Sequence, residues 1–279
     1  MGRVGTGWRL AKASFVLLRS DRTLAIFPLL STVAISAALA ITLTPGLILE
    51  AALDAEWLVL PFMVVGGYAA TFLAVHFNVA LVGAARVAMD GRDATVRDGL
   101  AVARERRGPI ARWALLQFTF GLLTRVAQRS TGGGPAFLFG IAGVAWSVAS
   151  FFAVPLIALE GLGPGAALKR SASLVRERWG EGLVGYTAIN TAVLLVGAIP
   201  VVLLAGAIDP AFDVGKVAGA VVLFSTIVAF IAACTLGSAL GMLFRTELYR
   251  YSTQGALSGG FAQADVAAAF GPPKAGAGE

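Results

Sequence analysis

Residues 110–126 read IARWALLQFTFGLLTRV, and the number of times this chain crosses a bilayer turns on how that stretch is read. A spanning helix needs about 20 mainly apolar residues, and this segment falls at the short end of that range. Arg112 and Arg125 stand near its two ends, where long side chains can carry their charge out to the interface. Taken alone, the segment reads equally well as a helix lying on the membrane surface.

Its neighbours are clearer. Residues 24–43 carry no charge, and residues 58–85 are interrupted only by His76 and Asn78. Residues 136–159, 183–208 and 217–244 are three more apolar runs, all without an ionised side chain before Glu160, Asp209 and Arg245. If all six runs cross and the N-terminus is inside, the basic residues fall almost entirely on one side. Only Arg125, Arg129 and Lys216 of the 22 Lys and Arg residues are then left outside. If 110–126 did not cross, the loop around Lys169 would face outward, against the positive-inside tendency. The chain is therefore expected to be an all-α, polytopic transmembrane helix bundle with six crossings, N-in and C-in, in the inner cell membrane.

Composition excludes the competing classes. The chain has 279 residues, 57% hydrophobic and 14% charged, with a mean hydropathy of +0.80. A soluble domain carries about 25% charged residues, and a disordered chain has few large apolar side chains. Cys234 is the sole cysteine, so a disulfide-stapled scaffold is excluded. The net charge of +6 does not point to nucleic acid, because the basic residues lie between apolar runs, where they meet headgroups and set orientation. A cleavable leader is the competing reading of the N-terminus, since Ala38-Leu39-Ala40 has the small-x-small form. The apolar stretch before it exceeds a normal leader's, so an uncleaved first helix is expected.

The organisation read from these runs is a cytoplasmic amphipathic segment at 1–23, a membrane domain at 24–251 and a Gly/Ala/Pro-rich tail at 252–279, expected to be disordered past Phe270. In the first segment Trp8, Ala11, Phe15 and Leu18 share a helical face. Two inner loops echo each other, Arg104-Glu105-Arg106-Arg107-Gly108 and Arg176-Glu177-Arg178-Trp179-Gly180. Before them, Val96, Leu100 and Ala103 answer Leu168, Ala172 and Val175 at helical spacing. Basic amphipathic helices in the cytoplasmic headgroup plane are the expectation. Arg104, Arg106, Arg107, Arg176, Arg178 and Trp179 are then candidate contacts to anionic membrane lipids; the alternative is that these charges only set topology.

Catalytic chemistry has little to build on. One His and one Cys cannot make a zinc site of three or four ligands, so no metal or cofactor is expected. His76 has no carboxylate near it within an apolar run, and no Asp or Glu interrupts any run. Residues 163–171, GPGAALKRS, lack the Gly before Lys that a phosphate-binding loop requires. His76, Asn78, Gln117 and Asn190 are the candidate intramembrane polar contacts. Inter-helix hydrogen bonds, worth about 0.6 kcal/mol each, are the simpler reading, and a solute contact is the alternative. Pro155 and Pro200 are expected to kink their helices.

The stretch from Trp146 to Gly180 carries the most distinctive words: Trp146, Pro155-Leu156-Ile157-Ala158-Leu159-Glu160-Gly161, Gly163-Pro164, Ala167-Leu168-Lys169-Arg170-Ser171 and Trp179-Gly180. It resembles an uncharacterised family of bacterial and archaeal integral membrane proteins, a domain of unknown function, over most of Trp8 to Tyr251. It is also similar to the membrane domain fused to some glycerophosphodiester phosphodiesterases. The resemblance implies a six-helix membrane domain and brings no catalytic residues with it. Physically, Pro164 suits the first turn of a helix, and Glu160 lies among cations. Glu160, Lys169 and Arg170 are the candidate lock that holds an interfacial helix against the bundle, Glu160 pairing with one of the two cations or with a basic residue of another inner loop.

The function expected from the sequence is a non-catalytic membrane module that organises lipid or a protein partner the sequence does not identify. The alternatives are a transporter or carrier of a small or lipidic solute and an intramembrane enzyme.

Overall fold

A computed structural model describes residues 16, 22–130, 136–176 and 198–254. Among these residues the fold is helical throughout, with no strand. Helix α1 spans Arg22–Leu53 and α2 spans Val59–Met89, joined by a single 3-10 turn at Glu56–Leu58. Short α3 (Val96–Glu105) leads into α4 (Arg107–Ser130), followed by α5 (Ala136–Ala149), α6 (Ala153–Glu160) and α7 (Pro164–Leu174). The chain closes with α8 (Ile208–Val214) and the long α9 (Lys216–Gln254). Among the described residues, four stretches are long and apolar enough to cross a membrane: Thr23–Leu53, Glu56–Met89, Ala142–Glu160 and Lys216–Thr253.

Several polar side chains of the apolar segments are satisfied within their own helix. The hydroxyls of Thr32, Thr42, Thr71, Thr124 and Thr226 each donate to the carbonyl four residues back, at 2.7–3.0 Å. Such back-bonding lets a hydroxyl sit in an apolar helix without an unsatisfied donor.

The helices divide into two zones. Towards one end, large apolar side chains lie open: Val33 is 68% exposed, Ile41 73%, Leu123 62% and Val217 79%. A surface so apolar is unsuited to water and suits lipid. The other end, where the Arg-rich loops gather, has a close-packed core. There Leu24 and Phe27 of α1, Val79–Ala85 of α2, Ala103, Ile110, Trp113, Phe151–Ala158 and Ala239–Tyr251 contribute one buried cluster. We call these the apolar belt and the basic end. Helix α9 outruns the apolar segment read from sequence (217–244) because its extra turns, with Thr246–Tyr249, Tyr251 and Ser252, are buried in the basic end by protein, whereas the turns that α1 adds beyond residue 43 lie open, Leu47 54% and Ile48 62% exposed.

Two expectations require correction. Residues 136–159 are not one helix: α5 stops at Ala149, and α6 begins at Ala153. The break sits at Ser150–Phe152, upstream of Pro155, where Phe151 and Phe152 turn edge-to-face (4.7 Å, 88°) into the core. Pro155 then occupies the first turn of α6, whose N–H groups lack helical partners anyway, so its ring interrupts nothing. Second, α3 and α7 do not turn their apolar faces to lipid. Val96, Leu100 and Leu168 pack on the core, with Ala103 and Val175 buried in it. Helix α3 reaches that position because Gly99 abuts the Ala80 carbonyl and the Phe27 ring, while Gly83 abuts Val102. Residues 110–126 form a helix within α4, which lies outside the four described stretches long and apolar enough to span.

Helix α4 starts near His76, where Arg104 and Arg107 act electrostatically on the imidazole. It then runs antiparallel to α2, with Tyr68 Oη donating to the Ala111 carbonyl at 3.4 Å and Phe118 against Gly67. Trp146 stacks on both Trp113 (5.8 Å) and Phe120 (4.4 Å), tying α5 to α4. The N-terminal segment with Trp8, most of the 183–208 run, and the tail lie outside the described residues, although 198–206 is helical.

Candidate functional site

The Pro155–Ser171 stretch forms the keystone of the basic end. Every residue of α6 from Ala153 to Ala158 is buried, so this short helix is enclosed by its neighbours. At its start, the Phe152 N–H donates to Ser171 Oγ of α7 at 2.9 Å, both groups buried. At its close, Gly161 takes the left-handed conformation (φ 69°), the usual glycine stop of a helix. The missing Cβ also makes room for the Arg106 guanidinium, which lies directly against Gly161. Helix α7 then opens with Pro164 in its first turn, as expected.

Glu160 does not pair with Lys169 or Arg170 among the described residues. Its Oε1 accepts a hydrogen bond from the Tyr249 hydroxyl of α9. The cations remain close: Arg170 and Arg86 both act on Tyr249 through space. The next residue, Arg250, pairs with Asp90 at the end of α2 at 3.1 Å, and Arg92 approaches the same carboxylate at 3.8 Å. Arg245 lies over the Phe151 ring at 5.1 Å. The end of α9 thus clamps α2 and α6 together. Tyr249, Arg250, Asp90 and Gly99 were not singled out from the sequence. The available signal was Arg245-Thr246-Glu247 with Tyr249-Arg250-Tyr251, a polar cluster placed immediately after an apolar run.

The candidate lipid contacts separate into two groups. Arg104, Arg107 and Arg176 are exposed, whereas Arg106 pairs with Glu105 at 3.2 Å and its side chain is 30% exposed. Arg112, Lys169 and Arg170 are exposed as well. Arg178 and Trp179 lie outside the described residues.

Of the intramembrane candidates, Asn78 makes an inter-helix bond, its Nδ2 donating to Ser238 Oγ of α9 at 2.8 Å. His76 packs between Phe72 (5.9 Å) and Phe77 (5.6 Å), and its Nδ1 has no hydrogen-bond partner. Gln117 is partly buried on α4, and Asn190 lies outside the described residues. A second bridge, between the hydroxyls of Thr32 and Thr235 at 2.7 Å, had no signal in the spacing. Beside these two bridges lies a cavity of about 290 Å³ between α1, α2 and α9. Phe27, Leu81 and Ala239 close it towards the basic end, and Ile35, Phe230 and Ile231 line it towards the belt. Its walls are apolar apart from Ser31, Asn78, Thr235, Ser238 and Cys234. No group of three His, Cys, Asp or Glu residues able to hold a metal ion occurs among the described residues.

Among the described residues these features define a helical protein with four stretches long and apolar enough to cross a membrane, an apolar belt and a basic, internally clamped end. Residues 54–260 match a family of unknown function (DUF6159), and the chain belongs to that family. Searches of curated proteins and of solved structures found no match.

Proposed function

We propose that this is a non-catalytic, multi-pass module of the inner cell membrane that gathers anionic lipid around its basic end. The observation that carries this reading is the set of exposed cations at Arg104, Arg107, Arg112, Lys169, Arg170 and Arg176. None has an ion-pair partner among the described residues, and they lie where the apolar belt gives way to the packed end. Each such cation contributes about 1 kcal/mol towards an anionic surface, so several together favour anionic over zwitterionic lipid strongly. In this proposal the chain makes six crossings with both termini inside. The antiparallel course of α4 along α2 supports a crossing for 110–126, and the positive-inside tendency supports the orientation.

The test is native mass spectrometry of the protein released from mixed phosphatidylglycerol and phosphatidylcholine vesicles. The wild type should retain phosphatidylglycerol preferentially, and replacing the six cations by Gln should remove the preference. Equal retention of both lipids by the wild type would refute the reading. The alternative function is a transporter or carrier of a small or lipidic solute; for a polar solute it requires a polar path through the belt, and the cavity between α1, α2 and α9 is largely apolar instead.

A further inference from the structure

Three side chains in the cavity between α1, α2 and α9 are placed at one depth. The last large exposed apolar residue of α9 is Leu236, and on α1 the strong exposure begins at Leu29. Ser31 and Ser238 lie two residues from those positions, within a single 5.4 Å helical turn of the belt's edge. Asn78 is tied to Ser238 at the same level. In a bilayer, the layer just inside the headgroups holds the ester linkages of the lipids. Towards the belt from these three the walls are apolar at Ile35, Ala74, Phe230 and Ile231, apart from Cys234 and Thr235, whose hydroxyl is taken up by Thr32.

The hydrogen-bonding inventory is selective. Ser31 is only 5% exposed, lines the cavity, and has no hydrogen-bond partner among the described residues. The Ser31 hydroxyl is not sealed in the core but opens onto the cavity, so an acceptor placed there would complete it. Asn78 has a second N–H beyond the one given to Ser238. The groups facing the cavity can therefore donate, while no charge lines it. An ester carbonyl followed by an alkyl chain matches this layout: an acceptor at the polar level and hydrocarbon beyond.

We propose that the cavity binds one acyl chain of a membrane diester lipid, with Ser31 and Asn78 donating to its ester carbonyl. The site rests on the reading that the apolar belt faces lipid, and it adds a specific intramembrane site to the headgroup contacts outside. The test compares dioleoyl phosphatidylglycerol with its dialkyl ether analogue by native mass spectrometry of the full chain. Both carry the same headgroup and chain length, so the cations respond to them alike and a failure here leaves the headgroup reading standing. The wild type should retain the diester about threefold to tenfold more than the ether, as one hydrogen bond allows. Ser31→Ala removes no protein–protein bond, so it should melt like the wild type and lose that discrimination. Cys234→Phe narrows the cavity from its exposed rim and should lower retention of both lipids. Equal retention of diester and ether by the wild type would overturn the proposal, as would unchanged discrimination in Ser31→Ala.

Discussion

The α-carbon of Gly99 lies against the backbone carbonyl oxygen of Ala80, so that α3 crosses α2 with no side chain between them. That contact, with Gly83 beneath Val102, sets how far the basic loop is drawn into the bundle. The rest of the face that α3 turns inward is Val96, Leu100 and Ala103, while Arg97, Asp98 and Arg104 occupy its open face.

Gly99→Ala should be among the most damaging single-methyl changes in the protein. The added Cβ meets backbone and an aromatic ring, neither of which can swing aside, so the cost is that of overpacking, about 1–3 kcal/mol. Gly121 is the matched control, since nothing lies within 4 Å of its Cβ position. Gly121→Ala should be neutral or stabilising by up to about 1 kcal/mol. Tryptophan-fluorescence melts in detergent should order the three proteins as Gly99→Ala below wild type, with Gly121→Ala at or above it.

Gly161→Ala combines a left-handed backbone with the loss of room for Arg106. The conformation alone costs a non-glycine residue about 1–2 kcal/mol. Limited proteolysis should show faster cleavage at 161–163 in this variant, whereas Gly163→Ala, with open space around it, should digest like the wild type.

Tyr249 and Glu160 should behave as a coupled pair. Tyr249→Phe and Glu160→Gln each weaken the bond that joins α9 to the end of α6, and a hydrogen bond to a charged acceptor is worth about 1.5–3 kcal/mol. In a double-mutant cycle on thermal stability the two changes should be clearly less than additive. Lys169→Gln combined with Glu160→Gln should be additive, because no ion pair joins Lys169 to Glu160 among the described residues. Additivity in the Tyr249 cycle would show that the bond contributes nothing.

The start of α3 should be acid-sensitive. Thr95 and Asp98 form a capping box, the Thr95 side chain and then its backbone N–H holding the Asp98 carboxyl below the usual aspartate range. A folded-state value below the unfolded one stabilises the fold above the unfolded value, and this is lost as pH falls through the folded one. Wild-type melts should therefore decline on acidification below the ordinary aspartate range. Thr95→Ala should flatten that part of the profile while leaving behaviour near neutral pH parallel to the wild type.

Much of the fold was legible in the chain because the signal is local. Twenty apolar residues in a row make a helix that only lipid or a core can cover, wherever they stand; α1, α2 and α9 are recognisable on that ground alone. Pro164 after Gly163 marks the start of α7 by the same short-range chemistry. The stretch from Pro155 to Ser171 was recognisable as distinctive, and Glu160 as a residue that needs a partner.

What the sequence could not determine was which partner, or which apolar residues face lipid and which face protein. Leu81 and Val65 look alike in a hydropathy profile, yet one is 1% exposed and the other 58%. The difference arises from helices distant in the chain that converge on one end of the bundle. Glu160 meets Tyr249, Asn78 meets Ser238 and Gly99 meets Ala80 for the same reason: contacts between separate helices depend on crossing geometry. Only the assembled bundle sets that geometry, because it follows from the packing of whole helix faces and not from the spacing of residues along any one of them.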